Sequence, residues 1–325
     1  MTSFTLVHGS GSIPAIGLGT SALIGEDCER AIQHAVKAGY RHFDLAINYG
    51  NQEEVGRSLK KVIGSAVKRE ELFISSKLWC TSHHPEDVEA ELDLTLKQLD
   101  MEYLDLYLIH LPVALLPRRG PPKLDLVNPK PIDPDRTVTI AETWLAMQKL
   151  LSTGKVKNVG VSNFTVEHIE QLIRTTGITP AVNEVELHPY LIQEDLVKFC
   201  REKGIVVTGY APLASPGIVG STLLQHPVVE EVAKSYPGAN TANILLNWGI
   251  ARGCCVIPKS ITPERITSNL KEFKLTPEDV EKISEITKEK RQRYVIPAVV
   301  FGWQVDMFGE PAEAGLPKVL IARES

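Results

Sequence analysis

From residue 16 onward, short apolar runs alternate with amphipathic stretches. The runs are IGLGT (16–20), HFDLA (42–46), LFISSKLW (72–79), LDLYLIH (104–110), VKNVGVSN (156–163), AVNEVELH (181–188), IVVTGYAP (205–212) and CCVIPKS (254–260). Apolar positions within them are continuous rather than alternating, as in parallel strands covered by helices on one face and packed on the other. The intervening stretches, such as EDCERAIQHAVKAG, PEDVEAELDLTLKQL and TVEHIEQLIRTTG, carry helical spacing. Gly39, Gly64, Gly154, Gly177 and Gly204 sit where helices stop, and TPERI and HPEDV read as helix starts. Eight strand–helix units predict an α/β chain folded as one (β/α)8 barrel over residues 1–325. An open doubly wound sheet is the alternative. It expects a glycine-rich turn after the first strand, whereas GSGSIP (9–14) has two of the three fingerprint glycines and opens no helix. The first residues, FTLVHGSGSIPAIG, predict a β-hairpin that turns at Gly9–Gly11 and plugs the barrel bottom.

Three segments interrupt the rhythm: 112–138, rich in proline, 213–224, and the tail 290–325. The first two follow strands, which places them on the C-terminal face where barrel enzymes work. All three are expected around that mouth.

Polar residues gather at the strand ends. Asp44 closes the second run, Lys77 lies near the end of the third and His110 ends the fourth. Ser162 and Asn163 end the fifth, Glu184 and Glu186 lie in the sixth, Tyr210 in the seventh, and Lys259 and Ser260 end the eighth. A charge inside an apolar strand is costly unless paired, and a barrel brings all these ends to one rim. One histidine there would be an ordinary satisfied core residue. An acid, a lysine, a histidine and the nearby Tyr49 together point to chemistry.

Bulk properties narrow the partners. With 325 residues, 43% hydrophobic, the chain can bury a large core. A net charge of −5 and no basic stripe argue against nucleic acid. No apolar run is long enough to span a membrane, and MTSFTLVHGSGS lacks the charge and apolar pattern of a signal peptide. The five cysteines are scattered and show no metal-type spacing, so reduced thiols in a cytoplasmic protein are expected. Monomer is the default assembly.

The chain resembles the aldo-keto reductases from about Phe4 to Phe273. The resemblance is carried by GYRHFDLAINYGNQEEVG, FISSKLW, DLYLIHLP, GKVKNVGVSNF, VNEVELHPYL, KGIVVTGYAPLASP and VIPKSITPERITSN, in that order. It implies a (β/α)8 fold, a nicotinamide cofactor, reduction of a carbonyl, and a catalytic tetrad falling on Asp44, Tyr49, Lys77 and His110. In that reading Tyr49 donates the proton. Lys77 lowers its pKa from the free value of about 10, Asp44 holds Lys77, and His110 orients the carbonyl oxygen. The resemblance also implies that Ser162, Asn163 and Glu184 meet the nicotinamide carboxamide, that Tyr210 stacks on the ring, and that Leu213 and Ser215 line the pyrophosphate. Lys259, Ser260, Arg265 and Asn269 would surround the adenosine end. Lys259 and Arg265 suit a 2′-phosphate, hence NADPH/NADP+ rather than NADH.

Several positions depart from the family pattern. Glu184 stands where glutamine is common. Its carboxylate can still accept from an amide NH2, and its charge would favour the oxidised nicotinamide. In the substrate pocket Ser21 and Leu111 replace common tryptophans, Asn48 replaces an apolar residue, and Trp79 remains. A wider, more polar pocket follows, suited to an aldehyde, ketone, dicarbonyl or sugar-derived substrate. Arg118, Arg119 and Lys123 in the first long loop are expected to be solvated. Three other readings compete: a nicotinamide-binding accessory or sensor protein with little turnover, a structural protein that retains the fold, and a barrel isomerase or aldolase forming a Schiff base on Lys77.

Overall fold

A computed structural model describes residues 1–116, 131–215, 220 and 222–323. Arg118, Arg119 and Lys123 lie outside the described residues. Two short strands, β1 (Ser3–Thr5) and β2 (Ser12–Pro14), pair antiparallel with Phe4 opposite Ile13. The chain reverses between Leu6 and Gly11, where the Leu6 N–H donates to the Gly11 carbonyl at 3.1 Å and Gly11 takes φ +76°. Leu6 and Ile13 from this hairpin pack with Phe73, Leu106, Ala181, Val182 and Val206, which begin or precede strands of the main sheet. The hairpin therefore closes the end of the barrel at which strands enter.

All eight predicted runs become parallel strands: β3 (Leu18–Gly19), β4 (His42–Asp44), β5 (Phe73–Leu78), β6 (Leu106–Ile109), β7 (Val159–Ser162), β8 (Val182–Glu186), β9 (Val206–Tyr210) and β10 (Cys254–Val256). Each pairs with its sequence neighbour. The last strand meets the first through an Ile16–Val256 bridge, with the Val256 N–H donating to the Ala15 carbonyl at 2.8 Å and the Gly17 N–H to the Val256 carbonyl at 2.9 Å. The expected (β/α)8 arrangement is present, and the doubly wound alternative is not.

Helices pack outside the sheet by their apolar stripes. In α1 (Gly25–Ala38) the buried residues are Cys28, Ala31, Ile32, Ala35 and Val36, one face of a 3.6-residue period. Gly39 ends it at φ +114°, a left-handed conformation that favours glycine. Further helices follow the next strands: α2 (Gln52–Val62), α3 (Pro85–Leu99), α4 (Ile140–Lys149), α5 (Val166–Thr176) and α6 (Glu194–Glu202). Thr139 with Glu142, and Thr165 with His168, form reciprocal caps at the starts of α4 and α5.

One glycine is set by close approach. A Cβ on Gly56 of α2 would lie 2.6 Å from the Leu99 carbonyl oxygen and 2.7 Å from its Cα, both backbone atoms at the end of α3. Alanine gains about 1 kcal/mol of helix propensity over glycine, but forcing these helices apart costs about 1–3 kcal/mol. Gly56→Ala should therefore lower stability by up to about 2 kcal/mol, read as a lower urea midpoint at unchanged slope.

The tail is tied to the strand exits. Glu186 at the end of β8 accepts the backbone N–H groups of Tyr294 and Val295, each at 2.9 Å. Glu310 pairs with Arg291 and Arg293 at 2.9–3.0 Å. Glu313 accepts three backbone N–H groups, from Met307, Phe308 and Glu310. Trp303, Val305 and Met307 then bury themselves with Trp79, Cys80, Leu111, Val113 and Leu115. Two buried carboxylates thus replace regular secondary structure as partners for the tail's backbone.

Candidate active site

Neighbouring strand ends bring the predicted acid and lysine together. Asp44 ends β4 and Lys77 is one residue from the end of β5; both side chains are almost wholly buried. Lys77 Nζ donates to both Asp44 oxygens at 2.7 Å and to the Leu45 carbonyl at 2.9 Å. Ser75 Oγ adds a 2.8 Å hydrogen bond to Asp44 Oδ1. This satisfies the requirement that a buried charge be paired and hydrogen-bonded.

Tyr49 follows on a short 3-10 turn, Ile47–Tyr49, ended by Gly50 at φ +69°. Its hydroxyl is 3.5 Å from Lys77 Nζ, a long contact. His110, just past β6, packs edge-on against both Tyr49 and Trp79, with ring centroids 6.0 and 5.2 Å away. The four residues expected to act together do converge.

Their electrostatics differ from the expectation in one respect. Lys77 was expected to bring the Tyr49 pKa below its free value. Instead burial pushes the phenol up and outweighs the lowering by Lys77, while Asp44 and Glu184 push it further up. The reason is first the burial of the phenol and then the two carboxylates beside it, while Lys77 itself stays charged. Burial opposes its charge, but Asp44 and Glu184 together hold its pKa above the usual value. His110 is held well below the ordinary histidine range, by burial first and by Lys77 second. It is a neutral imidazole at physiological pH, and its Nδ1 is buried without a partner among the described residues.

Beside this group lies a polar chain from the next strands. Asn163 sits in the left-handed region at φ +66°, which asparagine tolerates better than most residues. Its amide donates to the His110 carbonyl at 2.9 Å and to Ser162 Oγ at 3.0 Å, and its Oδ1 accepts from the Tyr210 hydroxyl at 2.8 Å. Ser162 Oγ in turn donates to the Glu184 carbonyl at 2.9 Å. The donors of Ser162 and Asn163 are therefore used. What these residues and the Glu184 carboxylate can still offer is acceptor capacity, the complement of a primary amide NH2. Glu184 is itself engaged, with Oε1 3.3 Å from Lys77 Nζ.

The other expected residues are less concentrated. Past β9, Ala211, Ala214 and Ser215 all take positive φ, between 50° and 57°. Each left-handed non-glycine costs roughly 1–2 kcal/mol, so this segment with Leu213 is held in a strained shape. Lys259 and Arg265 are exposed, and among the described residues neither has an anionic partner. Ser260 is buried, its Oγ accepting from the Thr262 N–H at 3.1 Å, and Asn269 is buried at the end of the helix Pro263–Asn269. Ser21 is exposed, Asn48 half-buried, and Trp79 and Leu111 buried.

Two contributors escape a reading of strand ends. Trp303 from the tail lies 5.9 Å from Trp79, so an indole backs the pocket wall even though Ser21 and Leu111 are not aromatic. Glu91 of α3 accepts the Trp79 backbone N–H at 2.5 Å and also bonds Ser82 Oγ. Burial pushes its carboxyl up to about 7. The only trace of Trp303 in the sequence is a tryptophan in a segment without periodicity, and Glu91 looks like any polar helix residue.

An eight-stranded parallel barrel with a lysine–carboxylate–tyrosine–histidine cluster at its strand exits defines a barrel enzyme class, and comparison with known proteins gives the family. The Aldo/keto reductase family model matches residues 15–288. The chain belongs to that family. It is 41% identical to aldo-keto reductase family 1 member A1 of Cricetulus griseus, covering 98% of both chains. It is 42% identical to glycerol 2-dehydrogenase (NADP(+)) of Saccharomyces cerevisiae, covering 91% of this chain and 94% of that one. Among solved structures, the aldose reductase of Schistosoma japonicum superposes with a TM-score of 0.82 at 35% identity, covering 93% of this chain and 97% of that one.

Proposed function

We propose that the chain is an NADPH-dependent oxidoreductase that reduces a carbonyl to an alcohol, with Tyr49 as the proton donor. The observation that carries this reading is the convergence of Tyr49, Lys77, Asp44 and His110 at one rim of the barrel. Family membership and an NADP(+)-using relative support the cofactor class. The residues present fit such a cofactor: acceptors remain at Ser162, Asn163 and Glu184 for its carboxamide, and two exposed cations without partners stand ready for a phosphate. Bound NADPH supplies a hydride.

The chain supplies the rest. Tyr49 gives a proton to the developing alkoxide. Lys77 stabilises the phenolate left behind, and Asp44 keeps Lys77 charged and aimed. Neutral His110 can donate one N–H to the carbonyl oxygen without adding charge. Trp79, backed by Trp303, and Leu111 give an apolar wall, with Asn48 and Ser21 at more open positions. This suits a small carbonyl with polar substituents. Five buried free cysteines suit a reducing compartment, and we read the protein as a cytoplasmic monomer.

The test is loss of NADPH absorbance against a panel of aldehydes, ketones, dicarbonyls and sugar-derived carbonyls. Arg265→Ala should raise KM for NADPH about tenfold, the loss expected for one charged hydrogen bond, while KM for NADH stays unchanged. Equal losses for both cofactors would remove Arg265 from phosphate recognition. Binding of NADPH without turnover of any carbonyl would favour the accessory role.

A further inference from the structure

Glu184 is a second carboxylate on the tetrad's lysine. It enters from β8, two strands beyond His110's strand and opposite Asp44, and its Oε1 lies 3.3 Å from Lys77 Nζ. The side chain is 4% exposed. Four ionisable groups face it: Asp44 from β4, Lys77 from β5, Tyr49 from the 3-10 turn, and Tyr210 from the end of β9. Glu186, two residues on, is already committed to His188 and to the tail N–H groups of Tyr294 and Val295. Among the described residues Lys77 is the single cation facing Glu184, and Asp44 holds it more tightly, at 2.7 Å through both oxygens.

Two buried carboxylates on one ammonium cannot both stay ionised without leaving a net negative charge in a low-dielectric site. Asp44 has the lysine and Ser75 as donors; among the described residues Glu184 has the longer contact to the lysine as donor and the Asp44 carboxylate beside it. Glu184 is therefore the member that takes a proton. Burial, followed by the Asp44 charge, moves its carboxyl up to about 8.

We propose that Glu184 is a proton-holding positioning residue of the reductase centre: protonated, it leaves Lys77 free to stabilise the Tyr49 phenolate, and ionised, it competes with Tyr49 for Lys77 and slows proton donation. The proposal rests on the reading of Tyr49 as proton donor. A glutamine here would be neutral at every pH, so this chain carries an ionisation that the tetrad alone does not have.

The experiment compares the full-length protein with its Glu184→Gln variant in two ways. Infrared difference spectra, taken without cofactor from neutral to mildly alkaline pH, follow the carbonyl band of a protonated carboxylic acid. Glu91 titrates in the same region, and subtracting the variant from the wild type isolates Glu184. The wild type should lose a carboxylic-acid band that the variant never shows. The pH profile of kcat/KM for carbonyl reduction with NADPH should fall through the same ionisation by about tenfold in the wild type, and the variant, whatever its absolute rate, should stay flat through that range. Absence of the band overturns the proposal. So does a falling limb that persists in the variant, which returns the limb to Tyr49 or another group. If no carbonyl is turned over, the reductase reading fails separately, and the infrared result still decides whether Glu184 holds a proton. A merely structural role would change the melting temperature and leave the wild type and the variant alike in both readouts.

Discussion

Replacing Tyr49 by phenylalanine is expected to cut kcat for carbonyl reduction by about 10²–10⁴, the usual contribution of a positioned proton donor, with almost no loss of stability. The two parts follow from the same geometry. Among the described residues the Tyr49 hydroxyl makes one hydrogen-bonding contact, the 3.5 Å approach to Lys77, which is too long to contribute much. Lys77 keeps both Asp44 oxygens, the Leu45 carbonyl and Glu184 when the hydroxyl is removed. The ring remains to pack against His110. No buried charge is stranded, so the midpoint of thermal unfolding should stay within a few degrees of the wild type. NADPH affinity, measured by quenching of protein fluorescence, should also be unchanged. A variant that keeps wild-type kcat would show that the proton comes from elsewhere, and a variant that unfolds would show that the hydroxyl has a structural role.

Much of this was legible in the sequence, and the reasons are local. Parallel strands buried on both faces must be continuously apolar, so all eight could be placed from their runs. Polar residues interrupting such runs are conspicuous for the same reason, and the sequence alone puts Asp44, Lys77 and His110 at strand ends. The barrel supplies the rest of the inference, because it brings every exit to one rim. Other features depend on distances that no pattern encodes. The tail has no periodicity, since its backbone is satisfied by Glu186 and Glu313 side chains rather than by a ladder, and so Trp303 could not be placed beside Trp79. Glu184 was recognised as a departure and assigned to a carboxamide. Its contact with Lys77 emerges only when β8 and β5 face one another across the barrel. The Tyr49 pKa is likewise set by burial first, with the Asp44 and Glu184 charges adding to the rise that Lys77 opposes. The strain past β9 was equally invisible, because alanine and serine give no warning of a left-handed backbone.

Lys77→Met is expected to be the most destabilising single change at the site. Methionine fills a similar volume but leaves Asp44 and Glu184 buried with no cation between them. Removing one partner of a buried ion pair costs about 3–5 kcal/mol, and the loss should depend on pH in a defined direction. A carboxyl whose folded pKa is raised binds its proton more tightly in the folded state than in the unfolded state. Its contribution to stability is complete below the unfolded value and is lost as pH rises through the folded one. In the wild type that window for Glu184 runs from the ordinary carboxylate range up to about 8. Without Lys77 the folded value moves higher still, because the group that lowered it is gone, so the deficit relative to wild type should widen from acidic to alkaline pH. Urea unfolding at several pH values would measure this. The double variant Lys77→Met, Glu184→Gln separates the causes: with one carboxylate neutralised, the widening should disappear and part of the lost stability should return. If the single and double variants unfold alike at every pH, Glu184 does not share the lysine's charge in solution. On the proposed mechanism activity should not recover in either variant, because a Tyr49 phenolate would lack its cation, and so stability and catalysis should part company at the same side chain.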